Sequence, residues 1–198
     1  RRRARMGAVG ASGPSSTPTS VEPNSSLRHV LLVGGTVGEW GRLDDDAWQR
    51  RAEQLGNLCA RLGVPWLTIR ADRAEPDDEP AAGVLKPWQW SVPGCDVIID
   101  PVADGRQRFA DAMAHLAATD EVNEATVSAA LYEPADCEPD LVVVLGPPTQ
   151  LPPSLVWELA YAELVFVDVG WFDVTADDLA WAIAVFSDRR RRFGGLDE

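Results

Sequence analysis

The fold is decided by Asp140-Leu-Val-Val-Val-Leu-Gly146, a run of five apolar residues closed by a glycine. An unbroken apolar run of this length, without alternation, is typical of a strand buried on both faces. Working outward, four further segments share this character and predict strands: Val30-Leu-Leu-Val33, Pro65-Trp-Leu-Thr-Ile69, Asp96-Val-Ile-Ile99 and Leu164-Val-Phe-Val167.

Helical patterns separate these strands. Asp44-Asp-Asp46 places acids at a helix start, and the helix continues to Gly63 with apolar residues three and four positions apart. Residues 71–93 are acidic and proline-rich and are predicted to be irregular. Strands that alternate with helices predict an α/β domain with a mostly parallel central sheet flanked by helices. The remaining helices are predicted over Arg106–Ala118, Val122–Leu131 and Ser154–Ala162, and from the capping-box spacing at Thr175–Asp178 up to Gly194-Gly195.

Composition limits the domain organisation and the partners. The 198 residues are 45% apolar, which suits a single domain over residues 28–198. Residues 1–27 are rich in Gly, Ser and Pro and predict a disordered tail, whose arginines offer a possible peripheral contact with acidic lipid. The net charge of −13 argues against nucleic acid as a partner. No apolar stretch is long enough to span a membrane, and three scattered cysteines without a CxxC pair favour a cytoplasmic protein.

Three charged or glycine-rich segments could carry chemistry. Val33-Gly-Gly-Thr-Val-Gly38 follows a strand but matches no phosphate-binding motif, so a structural turn is favoured. Asp44–Asp46 could bind a cation or serve only as solvated helix-start acids. Arg189–Arg192 could complement a helix dipole or bind a diphosphate, and the residues alone leave both readings open.

Several segments, taken in order, resemble the cis-prenyltransferases, the undecaprenyl diphosphate synthase family. The resemblance covers about residues 28–195 and implies that family's fold. It also implies the family's reaction, in which magnesium assists condensation of isopentenyl diphosphate onto an allylic diphosphate. The segments are His29–Trp40, Asp104–Arg106, Val122–Tyr132, Asp140–Gly146, Trp157–Leu164, Phe166–Trp171 and Arg191–Gly195.

The chain departs from that family where phosphate and metal would bind. The first family motif, Asp-Gly-Asn-Gly-Arg-Trp-Ala, places its metal-associated Asp on Gly35 and its Arg on Glu39. The second, Arg-Thr-x-Gly-Glu-x-Arg-x-Ser, becomes Val144–Pro152 and loses both arginines and the serine. The segment between Ile69 and Asp104, which walls the product tunnel in active members, is short. We therefore assign no catalytic residue and no metal ligand, and expect a reduced tunnel region.

The retained motifs resemble the family's non-catalytic, Nogo-B-receptor-like subunits. These share Gly146-Pro147, Asp104-Gly105-Arg106 and the C-terminal Arg192-Phe193-Gly194. The resemblance implies a heterodimer with a catalytic subunit that makes long-chain polyprenyl diphosphate for lipid carriers. Arg192, Gly194 and Gly195 would contact isopentenyl diphosphate in the partner's site, which would also hold the magnesium, with no cofactor on this chain alone. The candidate interface residues are Trp157, Tyr161, Glu163 and Trp171.

Two other functions stay open. The chain could be a divergent enzyme that uses prenyl diphosphates unaided, with Asp44–Asp46 supplying a metal site. It could also be a homodimeric module that binds prenyl lipids or regulates their synthesis.

Overall fold

A computed structural model describes residues 27–74, 87–116 and 122–193, with side chains described up to residue 189. Its core is a six-stranded sheet in the order β3-β4-β2-β1-β5-β6. Every neighbouring pair is parallel except β3 and β4. The predicted α/β architecture is thereby confirmed. The strands are β1 (His29–Val33), β2 (Trp66–Arg70), β3 (Trp88–Val92), β4 (Cys95–Asp100), β5 (Leu141–Leu145) and β6 (Glu163–Val167).

Helices cover both faces of the sheet, which is why the central strands are buried throughout. One face packs on α2 and α5, through residues such as Trp48 and Phe186. The other face packs on α3 and α4, through residues such as Ala112 and Val127. The helices are α1 (Val37–Trp40), α2 (Asp45–Arg61), α3 (Gly105–Leu116), α4 (Glu124–Tyr132) and α5 (Ala176–Phe193).

The predicted helix boundaries have a physical basis in capping. Asp44 precedes α2, and its Oδ1 accepts the Ala47 amide at 2.7 Å. Gly63 ends the same segment with a φ of +75°, a conformation that favours glycine. Before α5, the Asp178 carboxylate accepts the Thr175 amide at 2.9 Å, so the predicted capping box is present with Asp in place of Glu.

The prediction of irregular structure over residues 71–93 was wrong at its end. Trp88–Val92 is an edge strand that pairs with β4 through a turn at Gly94, where φ is +94°. Its residues alternate between half-buried and exposed, and Trp88 packs edge-on against Trp48 of α2. This strand therefore carries the period-two pattern of a half-exposed edge, which the surrounding prolines obscure.

The prediction of a helix over Ser154–Ala162 was also wrong. The segment forms only a short 3₁₀ turn at Glu158–Ala160. Pro152 and Pro153 precede it and lack the amide hydrogens of a helix start. The Glu158 carboxylate accepts the Val156 amide at 3.2 Å, so this backbone group is satisfied by a side chain of the turn itself.

The limits of the domain need one correction. Leu27, assigned to the tail, is only 1% exposed and packs in the core, so it belongs to the folded domain. The rest of the predicted tail lies outside the described residues. So do residues 117–118, Gly194-Gly195 and residues 75–86 of the segment between Ile69 and Asp104. Within the described ranges, no helix is long and apolar enough to cross a membrane.

Candidate functional site

The carboxyl ends of β1 and β5 form the place where a sheet of this topology normally holds a ligand. The chain moves to one side of β1 through β2 and β4, and to the other side through β5 and β6. Ligands of open α/β sheets bind in the crevice where the strand order reverses in this way. Gly34 and Gly35 follow β1 at this point, and Gly146 follows β5.

In this chain apolar side chains fill that crevice. A Cβ atom added at Gly34 would lie 2.6 Å from Leu145 Cδ1, and one added at Gly35 would lie 2.6 Å from Trp171 Cγ. Trp171 also stacks on Trp40 with ring centroids 5.3 Å apart, and Trp40 Nε1 donates to Gly34 O at 2.9 Å. The glycines therefore allow close packing of aromatic rings rather than close approach of a phosphate.

The backbone beside the crevice is equally occupied. The Glu39 carboxylate accepts the Thr36 amide at 2.9 Å, while the Glu39 amide donates to Thr36 Oγ1 at 3.1 Å. This reciprocal capping box places a carboxylate where a phosphate-binding loop presents free N–H groups. Residues 34–36 form a structural turn between β1 and α1, while Val33 and Val37-Gly38 belong to the strand and the helix.

Neither family phosphate site fits its ligand in this chain. Gly35 has a φ of +74° and no side chain that could hold magnesium. After β5, Gly146 has a φ of +106°, and the exposed residues 147–150 are Pro-Pro-Thr-Gln, with no basic group.

The acidic triplet at the start of α2 has a structural use. Asp44 caps the helix, and Asp45 and Asp46 lie in its first turn. Across the part of the chain that the structure describes, no group of three or more His, Cys, Asp or Glu residues is arranged to hold a metal ion.

The structure instead reveals a buried ring of four charges that the sequence interpretation missed. Arg70 at the end of β2 pairs with Asp100 at the end of β4 (2.9 Å) and with Glu158 in the 3₁₀ turn (2.5 Å). Arg108 of α3 closes the ring on the same two acids, at 3.1 Å and 3.3 Å. The sequence carries part of this signal, because Arg70 and Asp100 each end an apolar strand run. Their pairing in register is visible only in the structure.

The electrostatics of the ring favour the charged forms of Arg70 and Glu158. The side chains of Arg70 and Glu158 are each 1% exposed. Burial acts to raise the pKa of Glu158, but Arg70 and Arg108 outweigh it and lower that pKa to about 2. Burial acts to lower the pKa of Arg70, but Glu158 and Asp100 raise it overall. The ring therefore joins two strands, a helix and the 3₁₀ turn in one charge-neutral brace.

A cavity of about 300 Å³ lies beside this ring, between the sheet and helices α3 and α4. Its walls include Ile98 and Leu131, and the buried Tyr132 hydroxyl, which has no hydrogen-bond partner among the described residues, belongs to the same lining. Burial, reinforced by the charge of Glu158, raises the pKa of this phenol, so it stays neutral. Because Asp100 and Glu158 already neutralise both arginines, a diphosphate would have to displace an ion pair to bind here.

The structure brings several candidate interface residues to one region. Tyr161 is 66% exposed, and half-buried Trp157 stacks on Phe109 and donates from Nε1 to Glu138 at 3.1 Å. Glu163, at the start of β6, pairs with Arg189 of α5 at 3.1 Å. Arg189 lies three positions before Arg192, and the backbone of both residues is helical. The Arg192 side chain, Gly194 and Gly195 lie outside the part that the structure describes.

Trp171 requires a correction as an interface residue. It is 3% exposed and lies beyond the far end of β6, in a buried group with Trp40 and Trp48. Arg51 covers this ring, with Cζ 4.1 Å from the ring centroid and Nη1 donating to the Trp171 carbonyl at 2.9 Å. A partner protein cannot reach it without unpacking the core.

Comparison with known proteins supports the resemblance stated from the sequence. A family profile described as "Putative undecaprenyl diphosphate synthase" matches residues 100–194. An undecaprenyl-diphosphate synthase of Lactiplantibacillus plantarum is 36% identical over 110 residues, which cover 54% of this chain and 39% of the relative. The chain therefore matches less than half of that relative's length.

A longer alignment links the chain to an isoprenyl transferase of Neisseria gonorrhoeae. It is 27% identical and covers 93% of this chain and 96% of the relative. The alignment spans 237 positions, more than the 198 residues of this chain, so it requires gaps here. The relative therefore has segments that have no counterpart in this chain.

Solved structures agree on the fold. A probable undecaprenyl diphosphate synthase from Campylobacter jejuni superposes with a TM-score of 0.55 at 17% identity, over 86% of this chain and all of the other. Lavandulyl diphosphate synthase from Lavandula x intermedia gives 0.57 at 16% identity, over 81% and 95%. The chain is thus similar in sequence to undecaprenyl diphosphate synthases and isoprenyl transferases, and it shares the fold of solved members of that family.

Proposed function

We propose that this chain is a non-catalytic subunit of a heteromeric cis-prenyltransferase. A catalytic homologue would bind magnesium and both diphosphate substrates. This chain would dimerise with it and contribute Arg192 and the Gly194–Gly195 backbone to isopentenyl diphosphate in the partner's site. The complex would make a long-chain polyprenyl diphosphate for lipid carriers and would work in the cytoplasm.

One observation carries the proposal: Trp171 occupies the space in front of Gly35. A chain that worked alone would need an acidic side chain and room for a diphosphate at this point. Glu39 adds a negative charge beside the crevice, and residues 144–152 supply no positive charge. Replacing several charge-assisted hydrogen bonds, each worth about 1.5–3 kcal/mol, is beyond any single neighbouring group.

The C-terminal half offers what an assisting subunit would use. The Glu163–Arg189 pair joins α5 to the start of β6 shortly before Arg192. An arginine at the end of a helix fixed in this way can form two parallel hydrogen bonds to a phosphate group. Gly194 would let the backbone approach the same group without a side chain in between.

The proposed dimer surface includes Tyr161 and the strand β6. Tyr161 is exposed, and β6 is an edge strand whose outer side has no neighbour among the described residues. An exposed aromatic beside a strand edge is the kind of surface that protein partners cover.

The test is reconstitution with a catalytic homologue from the same cell. The homologue, this chain and the two together are assayed with isopentenyl diphosphate and an allylic diphosphate. We expect high activity only from the co-purified pair. Equal activity of the homologue with and without this chain would contradict the proposal, and turnover by this chain alone would favour a stand-alone enzyme. A stable homodimer that ignores the homologue in native mass measurements would favour a homodimeric lipid-binding module.

Single substitutions sharpen this test. Arg192→Ala should reduce the activity of the pair by about 10- to 100-fold, the loss expected for one or two charge-assisted hydrogen bonds. The matched control is Arg50→Ala, since Arg50 is exposed on α2 and belongs to none of the shared motifs. The control should leave activity within twofold of the unsubstituted pair. Equal losses in both variants would remove Arg192 from the site.

A further inference from the structure

Two adjoining hollows run along α4, and together we call them the α4 groove. The first, about 600 Å³, is lined mainly by apolar side chains, among them Phe109, Val127, Val156, Trp157 and Tyr161. The second, about 510 Å³, includes Asp136 and Glu138. Glu124 lines both hollows and joins them. The groove is therefore apolar along one half and acidic along the other.

All charged side chains that line the α4 groove within the described residues are acidic. Asp136 is partly neutralised, since Arg28 pairs with it at 3.0 Å. Glu138 accepts from Trp157 Nε1, and Glu124 lies beside the Tyr161 hydroxyl, whose pKa it raises. Both glutamates are thus fixed at the aromatic rim, and their negative charge remains uncompensated by these neutral partners.

The apolar half of the groove is unusually exposed and is held in place. Val156 and Tyr161 are 45% and 66% exposed, and they flank the short turn at Glu158–Ala160. Glu158 at the start of that turn is buried in the charge ring with Arg70 and Arg108. The turn is therefore anchored from inside while its apolar side chains face outward, as in preorganised binding surfaces.

We propose that the α4 groove binds a basic amphipathic helix from a partner protein. Apolar residues on one face of such a helix would fill the half around Trp157, and flanking Lys or Arg residues would pair with Glu124 and Glu138. The acidic lining disfavours anionic lipid, nucleic acid and free diphosphate. The groove is built from helices and turns and presents no strand edge, so strand addition is unavailable. The α4 groove shares Tyr161 with the proposed dimer surface, but peptide binding is measured on this chain alone, so its outcome is separate from that of assembly with a catalytic homologue.

Synthetic peptides test the inference on the full chain. The probe is a labelled eighteen-residue helix with leucines at i, i+3, i+4 and i+7 and arginines beside them. A second peptide has glutamate in place of every arginine. Fluorescence anisotropy should show binding of the arginine peptide that weakens at high salt, with at least tenfold weaker binding of the glutamate peptide. Absence of binding by the arginine peptide, or equal binding of both peptides, would overturn the proposal.

Charge reversal locates the site. The double variant Glu124→Lys with Glu138→Lys should bind the arginine peptide at least tenfold more weakly and bind the glutamate peptide more tightly than the unsubstituted chain. The matched control reverses two exposed acids outside the groove, Asp168→Lys with Asp188→Lys. An equal loss of peptide binding in the control would mean that the peptide responds only to net charge, and it would contradict binding in the α4 groove.

Two further measurements test whether the variant stays folded and whether a membrane, rather than a helix, binds the groove. Tyr161→Ala, at a 66% exposed side chain, should weaken the arginine peptide while the circular dichroism spectrum stays unchanged. Unchanged peptide binding by that variant would count against the apolar half. Vesicles containing anionic lipid should not compete with the peptide, and competition by them would replace the proposal with a membrane contact.

Discussion

Trp171 lies against Gly35 so closely that a Cβ atom added to the glycine would be 2.6 Å from Trp171 Cγ. A positive φ of +74° reinforces this constraint, because residues with side chains rarely adopt it. Conformation and packing therefore exclude a side chain at the position where the family resemblance places a metal-associated acid.

The first prediction concerns Gly35→Asp, which restores the acid that the family motif contains. We expect no prenyl transfer by the isolated variant, and a loss of unfolding free energy of at least about 2 kcal/mol, since strain and overpacking add. Urea denaturation and a turnover assay measure both. The control is Gly146→Ala, because Gly146 has a φ of +106° but nothing within 4 Å of an added Cβ. It should lose only about 1 kcal/mol, and equal losses would contradict the packing argument.

The second prediction concerns the buried charge ring. Glu158→Gln leaves Arg70 with one carboxylate partner instead of two, so the unfolding free energy should fall by about 3 kcal/mol or more. Glu163→Gln breaks the more exposed pair with Arg189 and should cost less than about 1 kcal/mol. Chemical denaturation of both variants checks this ranking. Similar losses would mean that the ring does not brace the domain.

The third prediction concerns acid sensitivity from His29. Its Nδ1 lies 2.9 Å from the Cys137 carbonyl, which can only accept, so Nδ1 carries the proton and Nε2 accepts from Thr68 Oγ1 at 2.9 Å. Burial lowers the pKa of His29 from 6.5 to about 4. The folded state therefore binds fewer protons than the unfolded state between these pH values. Stability should fall by about 3 kcal/mol as the pH drops from 6.5 to 4.

A variant separates this effect from other acids. His29→Asn keeps a donor for the Cys137 carbonyl but cannot titrate, so the decline between pH 6.5 and 4 should flatten. The decline below pH 4.5 should remain, because the pKa of Glu158 is lowered to about 2 and its stabilising charge is lost only as the pH falls toward that value. Denaturation midpoints measured from pH 7 down to about pH 2 would show the loss from His29 between pH 6.5 and 4 and the loss from Glu158 below pH 4.5. An unchanged upper window would exclude His29 as its source.

The fourth prediction separates folding from assembly at Tyr161. Since this side chain is 66% exposed, Tyr161→Ala should change the unfolding free energy by less than about 0.5 kcal/mol. The same variant should weaken association with the catalytic homologue at least tenfold, measured by sedimentation or titration calorimetry. Trp181→Phe on α5, also at an exposed aromatic, serves as the comparison, and equal effects on association would place the interface elsewhere.

The sequence predicted the elements that depend on local pattern. Runs such as Leu141–Leu145 have no polar residue to place on a solvent face, so they belong in the middle of a sheet. Asp44 and Gly63 mark the limits of α2 because a cap and a positive φ are properties of single residues. The turn at Gly34-Gly35 was also predictable, because the negative charge of Glu39 nearby is unsuited to a phosphate-binding loop.

What the sequence did not reveal depends on contacts between distant segments. The pattern around Glu158 resembles a helix, but its carboxylate is drawn inward to Arg70, which lies 88 positions earlier. The edge strand Trp88–Val92 is held by pairing with β4 and by Trp48, neither of which a local pattern encodes. For the same reason Trp171 could not be assigned between core and interface until its neighbours were known.

The stacking of Trp171 over Gly35 also bears on how such a chain can evolve. Recovery of a metal ligand at position 35 requires a new side chain, a new backbone conformation and removal of a buried indole, and each change alone is harmful. Intermediates along that path would lose stability before they gained any catalytic benefit. The packing of this crevice therefore opposes the stepwise return of a metal ligand at position 35.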